Sequence, residues 1–446
     1  MLESDKEAQK VKKVLIITYL FPPSEAIGAR RPWGLAKYLP QYDWQPIILT
    51  PKDNDRYIPE MSIVETPNYD IAILAKGKIL GTQSRQNRIY DKLLSIIRKL
   101  TFPLSNPLGM KRSIMRCIFN MLEFPTDKFG WYLPGYISAL RFIKENKIDA
   151  IISSALPFTS HLIAHNLKKK LDIPWIAEFR DPWAQSHYRK RWILRRLFDQ
   201  LLEYYTIRPA NAIISVSKPV MDTLGKLHKN RIMCIIENGY DPDDVINEKH
   251  KNEETQTHKF RIVYTGALWQ GKRDPKILFD AISSLSDKGL IEISDIEIDL
   301  YCHCEDWIRK EISDYRLESL VNMRGIVPRK DALNAQRTAT VLLHLSWDNP
   351  QDAGSISGKI YEYLIAMRPI IAFGHKTSAV RGILEYTKAG EFASSIWEMQ
   401  SAIQKYYEYY KRIGIVHFHG DIQKIRYYSH EMMAQRYADL LDSLLL

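Results

Sequence analysis

The sequence predicts an α/β protein of two doubly wound domains, whose parallel sheets face one another across a cleft. Three observations predict it. The chain has 446 residues, more than one ordinary core holds. Short β-branched apolar runs alternate with helix-length stretches, the pattern of βαβ units. That alternation lapses once, in the polar stretch 241–258 (DPDDVINEKHKNEETQTH), and then resumes.

The elements follow in chain order. Residues 12–18 (KKVLIIT) read as a strand, FPPSEAIGA as a loop and PWGLAKYL as a helix, with a second strand at 45–50. Further strands are expected at 149–153, 175–179 and 212–216, which makes 1–240 one domain with a basic insert at about 76–125. The second domain, 259–428, opens with a strand at 260–265, a loop at 266–272 and a helix at 275–285. Strands at 297–302, 341–345 and 369–373 continue it. Residues 429–446 read as an amphipathic helix that needs a partner surface, and it is expected to pack back on the first domain.

Composition narrows the class. Apolar residues make up 45% and charged residues 26%, which fits a globular fold with a core of its own. The four cysteines, at 117, 234, 302 and 304, have no framework spacing, and the polar start MLESDKEAQKVKK lacks the apolar centre of a secretory signal. A cytoplasmic protein with reduced thiols is the expectation. No apolar run approaches the length of a membrane span. The net charge of +11 admits nucleic acid, an anionic membrane or a phosphorylated small molecule as partner. Ten of the basic residues, against the single acid Asp91, lie between Lys76 and Arg116 among apolar residues, the composition of a segment that lies on a membrane surface.

Ligands of open parallel sheets bind beyond the carboxyl ends of the strands, so four loops stand out. The first, FPPSEAIGARR, brings Gly28 to a helix start, where free N–H groups attract anions, with Arg30 and Arg31 adding charge. A tight turn with a solvated basic pair explains it equally well. The second, FRDPW, places Arg180 and Asp181 beside Glu178 at a strand end, and a structural ion pair would also account for these charges. The third, GALWQGKR, offers Gly266 for close backbone approach and Lys272 and Arg273 to neutralise a diphosphate. The fourth, GSISGKIYEYLIAMRP, is the most specific. A Gly–Ser loop with Gly358 leads to Lys359 at a helix start, and Glu362 one turn on can accept both hydroxyls of a ribose.

Other features read as structure. His161 and His165 lie four apart on a helix without a third ligand, so no metal site is expected, and His161 is expected to line the cleft. Cys302 and Cys304 are expected on one strand face as core thiols, and Asp241-Pro242-Asp243 as a turn. The chain contains neither GxGxxG after its first strand nor GxxxxGK[ST], which disfavours a nicotinamide enzyme and a P-loop kinase.

Taken in order, these loops resemble the retaining glycosyltransferases of the two-Rossmann-domain (GT-B) type, especially their bacterial family 4 members. The resemblance runs from KVLIITYLFPPSEAIGARRPWGLAKYL through IPWIAEFRDPW, ENGYDPDD and YTGALWQGKRDP to GKIYEYLIAMRPIIAF. It implies that Gly28 faces the donor phosphates from the acceptor side, that Lys272 and Arg273 hold the pyrophosphate with Lys359 nearby, and that Glu362 binds the donor ribose. It also implies transfer from a nucleotide sugar without a metal or other cofactor, to a saccharide or lipid-linked acceptor at the inner face of the membrane, in surface-polysaccharide or lipopolysaccharide synthesis. The chain departs from the family twice. Arg180 and Asp181 occupy the loop where relatives often place a catalytic-site histidine, and with His161 they are the candidate catalytic residues. Gly354 stands where relatives often carry an acid that contacts the donor sugar, with Asp352 the nearest substitute. Two other readings compete: a nucleotide-sugar epimerase of the same architecture, and a non-catalytic nucleic-acid-binding protein suggested only by the charge and the Tyr and Arg content.

Overall fold

The computed structural model describes residues 11–24, 26–53, 55–56, 58–69, 126, 128–186, 193–229, 231–245 and 259–446. The basic segment 76–116, the insert to 125 that contains it, and most of the polar stretch after residue 245 lie outside the described residues.

The first sheet comprises β1 (Lys12–Ile17), β2 (Trp44–Pro51), β3 (Ser62–Thr66), β4 (Ala150–Ala155), β5 (Trp175–Phe179), β6 (Ala212–Ser215) and β7 (Ile232–Ile235). All pairs are parallel, in the order β3-β2-β1-β4-β5-β6-β7, with Ile16 opposite Ile48 on one side and Ile152 on the other. Its described helices are α1 (Ile27–Tyr38), α2 (Tyr132–Glu145), α3 (Thr159–Leu171), α4 (Ile193–Ile207) and α5 (Lys218–Gly225). β1 is a continuous apolar run because both of its faces are covered. Leu15 and Ile17 pack with Ala139 of α2 and Ile163 and Leu167 of α3, while Val14 and Ile16 pack with Leu35 of α1.

The second sheet repeats the plan with β8 (Phe260–Thr265), β9 (Ile296–Tyr301), β10 (Val321–Met323), β11 (Val341–Leu345), β12 (Ile370–Phe373) and β13 (Gly390–Ala393), in the order β10-β9-β8-β11-β12-β13. Its helices are α6 (Lys276–Asp287), α7 (Asp306–Asp314), α8 (Arg329–Arg337), α9 (Lys359–Ala366), α10 (Ala379–Thr387) and α11 (Ile396–Ile413). In each sheet the order reverses direction beside the first strand, and that switch point is where such folds open a crevice.

Two short helices close the chain, α12 (Ile422–Arg426) and α13 (His430–Ser443). Ser429 caps α13 by accepting from Met432 N at 3.1 Å. Helix α13 leaves the second sheet altogether: Met433, Ala434, Tyr437 and Leu441 fill the core behind β1 and β4 beside α1. Its crossing is fixed by a bridge between Tyr240 and Ser429, with Tyr240 N donating to Tyr428 O at 3.0 Å and His430 N to Tyr240 O at 2.8 Å. Gly239 allows this approach, because a Cβ there would stand 2.2 Å from Tyr428 O.

Cys302 and Cys304 do not share a buried face as expected. β9 ends at Tyr301, so strand alternation no longer governs them, and Cys302 is buried while Cys304 is exposed. The Asp241-Pro242-Asp243 segment forms a turn of 3-10 helix, with Asp241 accepting from Asp243 N.

Candidate active site

On the first-sheet wall, α1 begins directly after the β1 loop. Ala26 is its N-cap and no side chain among the described residues caps the first turn, which leaves backbone N–H groups for a ligand. Gly28 lets this turn lie against Arg180: a Cβ there would be 2.4 Å from Arg180 Nη1. Arg180 donates to the carbonyls of Gly28 at 2.7 Å, Ala155 at 2.5 Å and Leu156 at 3.0 Å. It thereby ties the start of α1 to the end of β4. Arg180 is a positioning residue in this geometry, and the half-buried Asp181 beside it offsets part of its charge.

Glu178 and Arg31 lie deeper, both buried. Arg31 Nε is 3.1 Å from Glu178 Oε2, and Arg31 also donates to Ile236 O, Glu237 O and Tyr437 OH. Burial would raise the Glu178 carboxyl, but Arg31 and Arg180, with hydrogen bonds from Tyr437 and Ser154, hold it below its ordinary range. Of the basic pair read as anion-attracting, Arg31 is thus a core residue that joins α1, β5 and α13. The charges around FRDPW resolve into this buried network.

His161 does not line the cleft in this structure. It is fully buried, Nδ1 lies 2.7 Å from Ser153 Oγ, and its ring packs 4.7 Å from that of Phe179. Burial lowers its pKa to about 3, so the imidazole is neutral. The reason is register: His161 is the third residue of α3 and faces the sheet rather than the loop. His165 is likewise engaged, with Nδ1 2.8 Å from Thr206 O.

On the opposite wall, Gly266 directly follows β8 with φ +135°, a conformation that side chains rarely adopt. Lys359 lies across it, and a Cβ at 266 would fall 1.9 Å from Lys359 Cε. Burial lowers the Lys359 pKa; Glu362 counters this, and Arg273 and Arg30 add to it. Lys272 Nζ sits 4.6 Å over the Trp347 ring and Arg273 lies 5.1 Å over Trp269, which folds the 266–273 loop across the end of β11. Helix α9 also starts without a side-chain cap, at Gly358.

Glu362, one turn into α9, meets three partners. Arg30 Nη1 pairs with its Oε1, Arg329 Nη2 is 3.5 Å from the same oxygen, and Gln336 Nε2 is 3.5 Å from Oε2. Asp352 is buried in a turn of 3-10 helix, and Gly354 packs against α5, accepting from Ser217 Oγ at 2.9 Å. Gly358 receives Ile27, whose Cδ1 would lie 2.2 Å from a Cβ there. The two uncapped helix starts, α1 and α9, therefore face each other in contact across the cleft. A cavity of about 160 Å³ lies beside them, lined by Arg30, Trp33, Asp241, Arg329 and Glu362 among others.

The structure thus brings together Gly28, Arg180 and Asp181 on one wall and Gly266, Lys272, Arg273, Gly358, Lys359 and Glu362 on the other. Sequence reasoning did not find Arg329, Gln336 or His344. The first two sit on α8 (RKDALNAQR), which reads as an ordinary polar surface helix. His344 sits inside the apolar run of β11, buried, with no hydrogen-bond partner among the described residues for either ring nitrogen; burial, then Arg273 and Lys359, lower its pKa to about 3.

Two parallel sheets, each with the crevice-forming strand order, facing across a cleft between two helix starts, define the GT-B architecture. The sequence profile of Glycosyltransferase Family 4 matches residues 111–244. No curated protein sequence matches the chain. Among solved structures, the chain is similar to sucrose-phosphate synthase from Thermosynechococcus elongatus, at 12% identity and TM-score 0.62, with 97% of this chain and 99% of that one covered. It is similar to the lipopolysaccharide outer core galactosyltransferase WaaB at 11% identity and TM-score 0.59, covering 97% and 99%. It is also similar to Anabaena Alr3699/HepE in complex with UDP, at 13% identity and TM-score 0.56, covering 97% and 100%. At these identities the likeness is one of fold.

Proposed function

We propose that the chain is a glycosyltransferase that moves a sugar from a nucleoside-diphosphate sugar to a saccharide or lipid-linked acceptor, with retention at the anomeric carbon. The observation that carries this reading is the packing of Lys359 across Gly266, with Arg273 close and Glu362 one turn further along α9. Cations and uncapped N–H groups at this point suit a diphosphate, whose negative charge grows as the sugar departs. They also supply positive charge without a metal ion or another cofactor. Glu362 is placed to accept ribose hydroxyls once its cationic partners shift.

On the acceptor side, Gly28, Arg180 and Asp181 shape the wall. In a retaining transfer the departing phosphate can itself take the acceptor proton, so these residues contribute position more than basicity. Asp352 and Gly354 would border the donor sugar. The likeness to a UDP-bound protein and to a lipopolysaccharide galactosyltransferase supports this choice, as does the family match. We place the enzyme in surface-polysaccharide synthesis at the inner face of a membrane. No helix among the described residues is long and apolar enough to cross one.

A thermal-shift screen of nucleoside diphosphates and their sugars tests the reading, since a ligand of the folded state raises the melting temperature. At least one should do so, and Glu362→Ala or Lys272→Ala should abolish the shift. Full retention of the shift in both variants would overturn the site assignment. An epimerised sugar nucleotide formed without acceptor would overturn the transfer.

A further inference from the structure

We propose that a cavity at the amino ends of β12 and β13 binds a neutral saccharide. It measures about 440 Å³, within the ~300–1,000 Å³ of small-ligand sites, against about 160 Å³ for the one beside Arg30 and Glu362. Pro369 precedes β12, and Ala389 leads through Gly390 and Glu391 into β13, so the cavity lies at the opposite end of the parallel sheet from the crevice. Two chain reversals build it. Lys388, with φ 54°, ends α10 and turns the chain into β13. Gly414, with φ +85°, ends α11 and sends residues 415–419 (IVHFH) back along it, where the His417 ring meets the Tyr409 ring edge-on at 6.2 Å. In this segment Val416 is buried and Phe418 half-buried against the core, which leaves His417 and His419 exposed at the alternate positions.

The lining selects the ligand. Tyr406 and Tyr409, three apart on α11, share a face of the helix. Each offers an apolar ring with a hydroxyl at its tip, as a sugar offers C–H faces edged by hydroxyls. Burial, then the Glu391 charge, raise the Tyr406 pKa, so this hydroxyl remains a donor. Around the rings stand two cations, Lys388 and Lys405, and two acids, Glu385 and Glu391, with Lys405 and Glu391 paired. That balance gives an anion no net attraction, and four charges beside two imidazoles do not suit a wholly apolar ligand. They suit hydroxyl groups, which both donate and accept. The site itself needs no transfer chemistry. That it retains an acceptor chain while the cleft works on the chain's end, by raising the effective concentration, rests on the transferase reading.

Saturation-transfer difference NMR on the full chain, without nucleotide, tests the site with methyl glycosides and disaccharides of glucose, galactose and N-acetylglucosamine. At least one should bind. His417→Ala/His419→Ala should weaken that binding by about fivefold or more with the melting temperature unchanged, whereas Glu362→Ala, in the cleft, should not alter it. Glu385→Ala, at an exposed rim position, should weaken it too and decides the matter if the double variant loses stability. Absence of binding by every sugar, undiminished binding by these rim variants, or preference for glucose 6-phosphate over methyl glucoside would overturn the proposal. Saccharide binding that persists although no nucleoside diphosphate binds would uphold the site and remove the transferase reading.

Discussion

Arg30 of α1 forms an ion pair with Glu362 of α9, and so closes the cleft at the carboxylate proposed to hold a ribose. The pair links the two sheets while it occupies a ligand group. Arg30 is about a third exposed, so its contribution is that of a partly screened pair, under ~1 kcal/mol. Arg30→Ala should open the cleft, seen as a larger radius of gyration in solution scattering. Nucleoside diphosphate should bind as well or up to about fivefold more tightly, because a competitor for Glu362 is gone. Weaker binding, by titration calorimetry, would instead make Arg30 a ligand for the nucleotide.

Gly266 is the position where one added methyl group should matter most. Gly266→Ala must relieve both the φ of +135° and the contact with Lys359, a cost of about 1–3 kcal/mol. Nucleotide affinity should fall by about tenfold or more, since Lys359 is displaced. An alanine variant that bound UDP and GDP like the wild type would remove Lys359 from the donor site.

The depressed pKa of Lys359 sets a direction for pH. As pH rises, this ammonium loses its proton before an ordinary lysine does, so affinity for a diphosphate should decline earlier on the alkaline side. Lys359→Arg keeps its charge and should flatten the decline. Identical profiles for the two proteins, measured by titration at fixed ionic strength, would contradict this.

Acid lability should be pronounced. His161 and His344 fall to about 3 and His430 to about 4, from 6.5 for a free imidazole. The unfolded chain then binds more protons below 6.5, so stability is lost as pH falls through that window. Three such groups give a slope of up to ~4 kcal/mol per pH unit. Glu178, held below its ordinary value, acts at lower pH: its stabilisation is present above the unfolded carboxyl's pKa and fades as pH drops through the folded one. Glu178→Gln, which strips Arg31 of its buried counter-charge, should cost about 3–5 kcal/mol at neutral pH. Chemical denaturation across pH measures all of these, and His344→Phe should reduce the slope by one proton.

The legibility of the fold divides along sheet position. The interior strands are rich in apolar residues, because helices cover both faces of each sheet, although β9 (IEIDLY) and β8 (FRIVYT) carry charged residues among them. The four strands that escape such a reading, β3, β7, β10 and β13, are the four edges of the two sheets. SIVET and GEFA pair on one side only and keep partly exposed residues, so they lack the apolar density of a central strand. The wall of the second sheet is legible for a related reason: Gly266, Lys359 and Glu362 lie within short segments whose loop-to-helix geometry is local. The wall of the first sheet is not. Whether Arg31 and Glu178 face ligand or core depends on Tyr437, more than 250 residues further along, and no spacing near FRDPW encodes that contact. His161 is subject to the same kind of ambiguity, since a shift of one or two residues along the helix separates a loop-facing ring from a sheet-facing one.

Helix α13 supplies Met433, Tyr437 and Leu441 to the core behind β1, although the whole second sheet intervenes in the chain. During synthesis, the first domain must therefore wait with an apolar flank and the buried charges of Arg31 and Glu178 unfinished until the ribosome has passed residue 441. A nascent chain halted before α13 would offer that flank to chaperones, and the interval while the second domain emerges is the period of greatest exposure to misassembly.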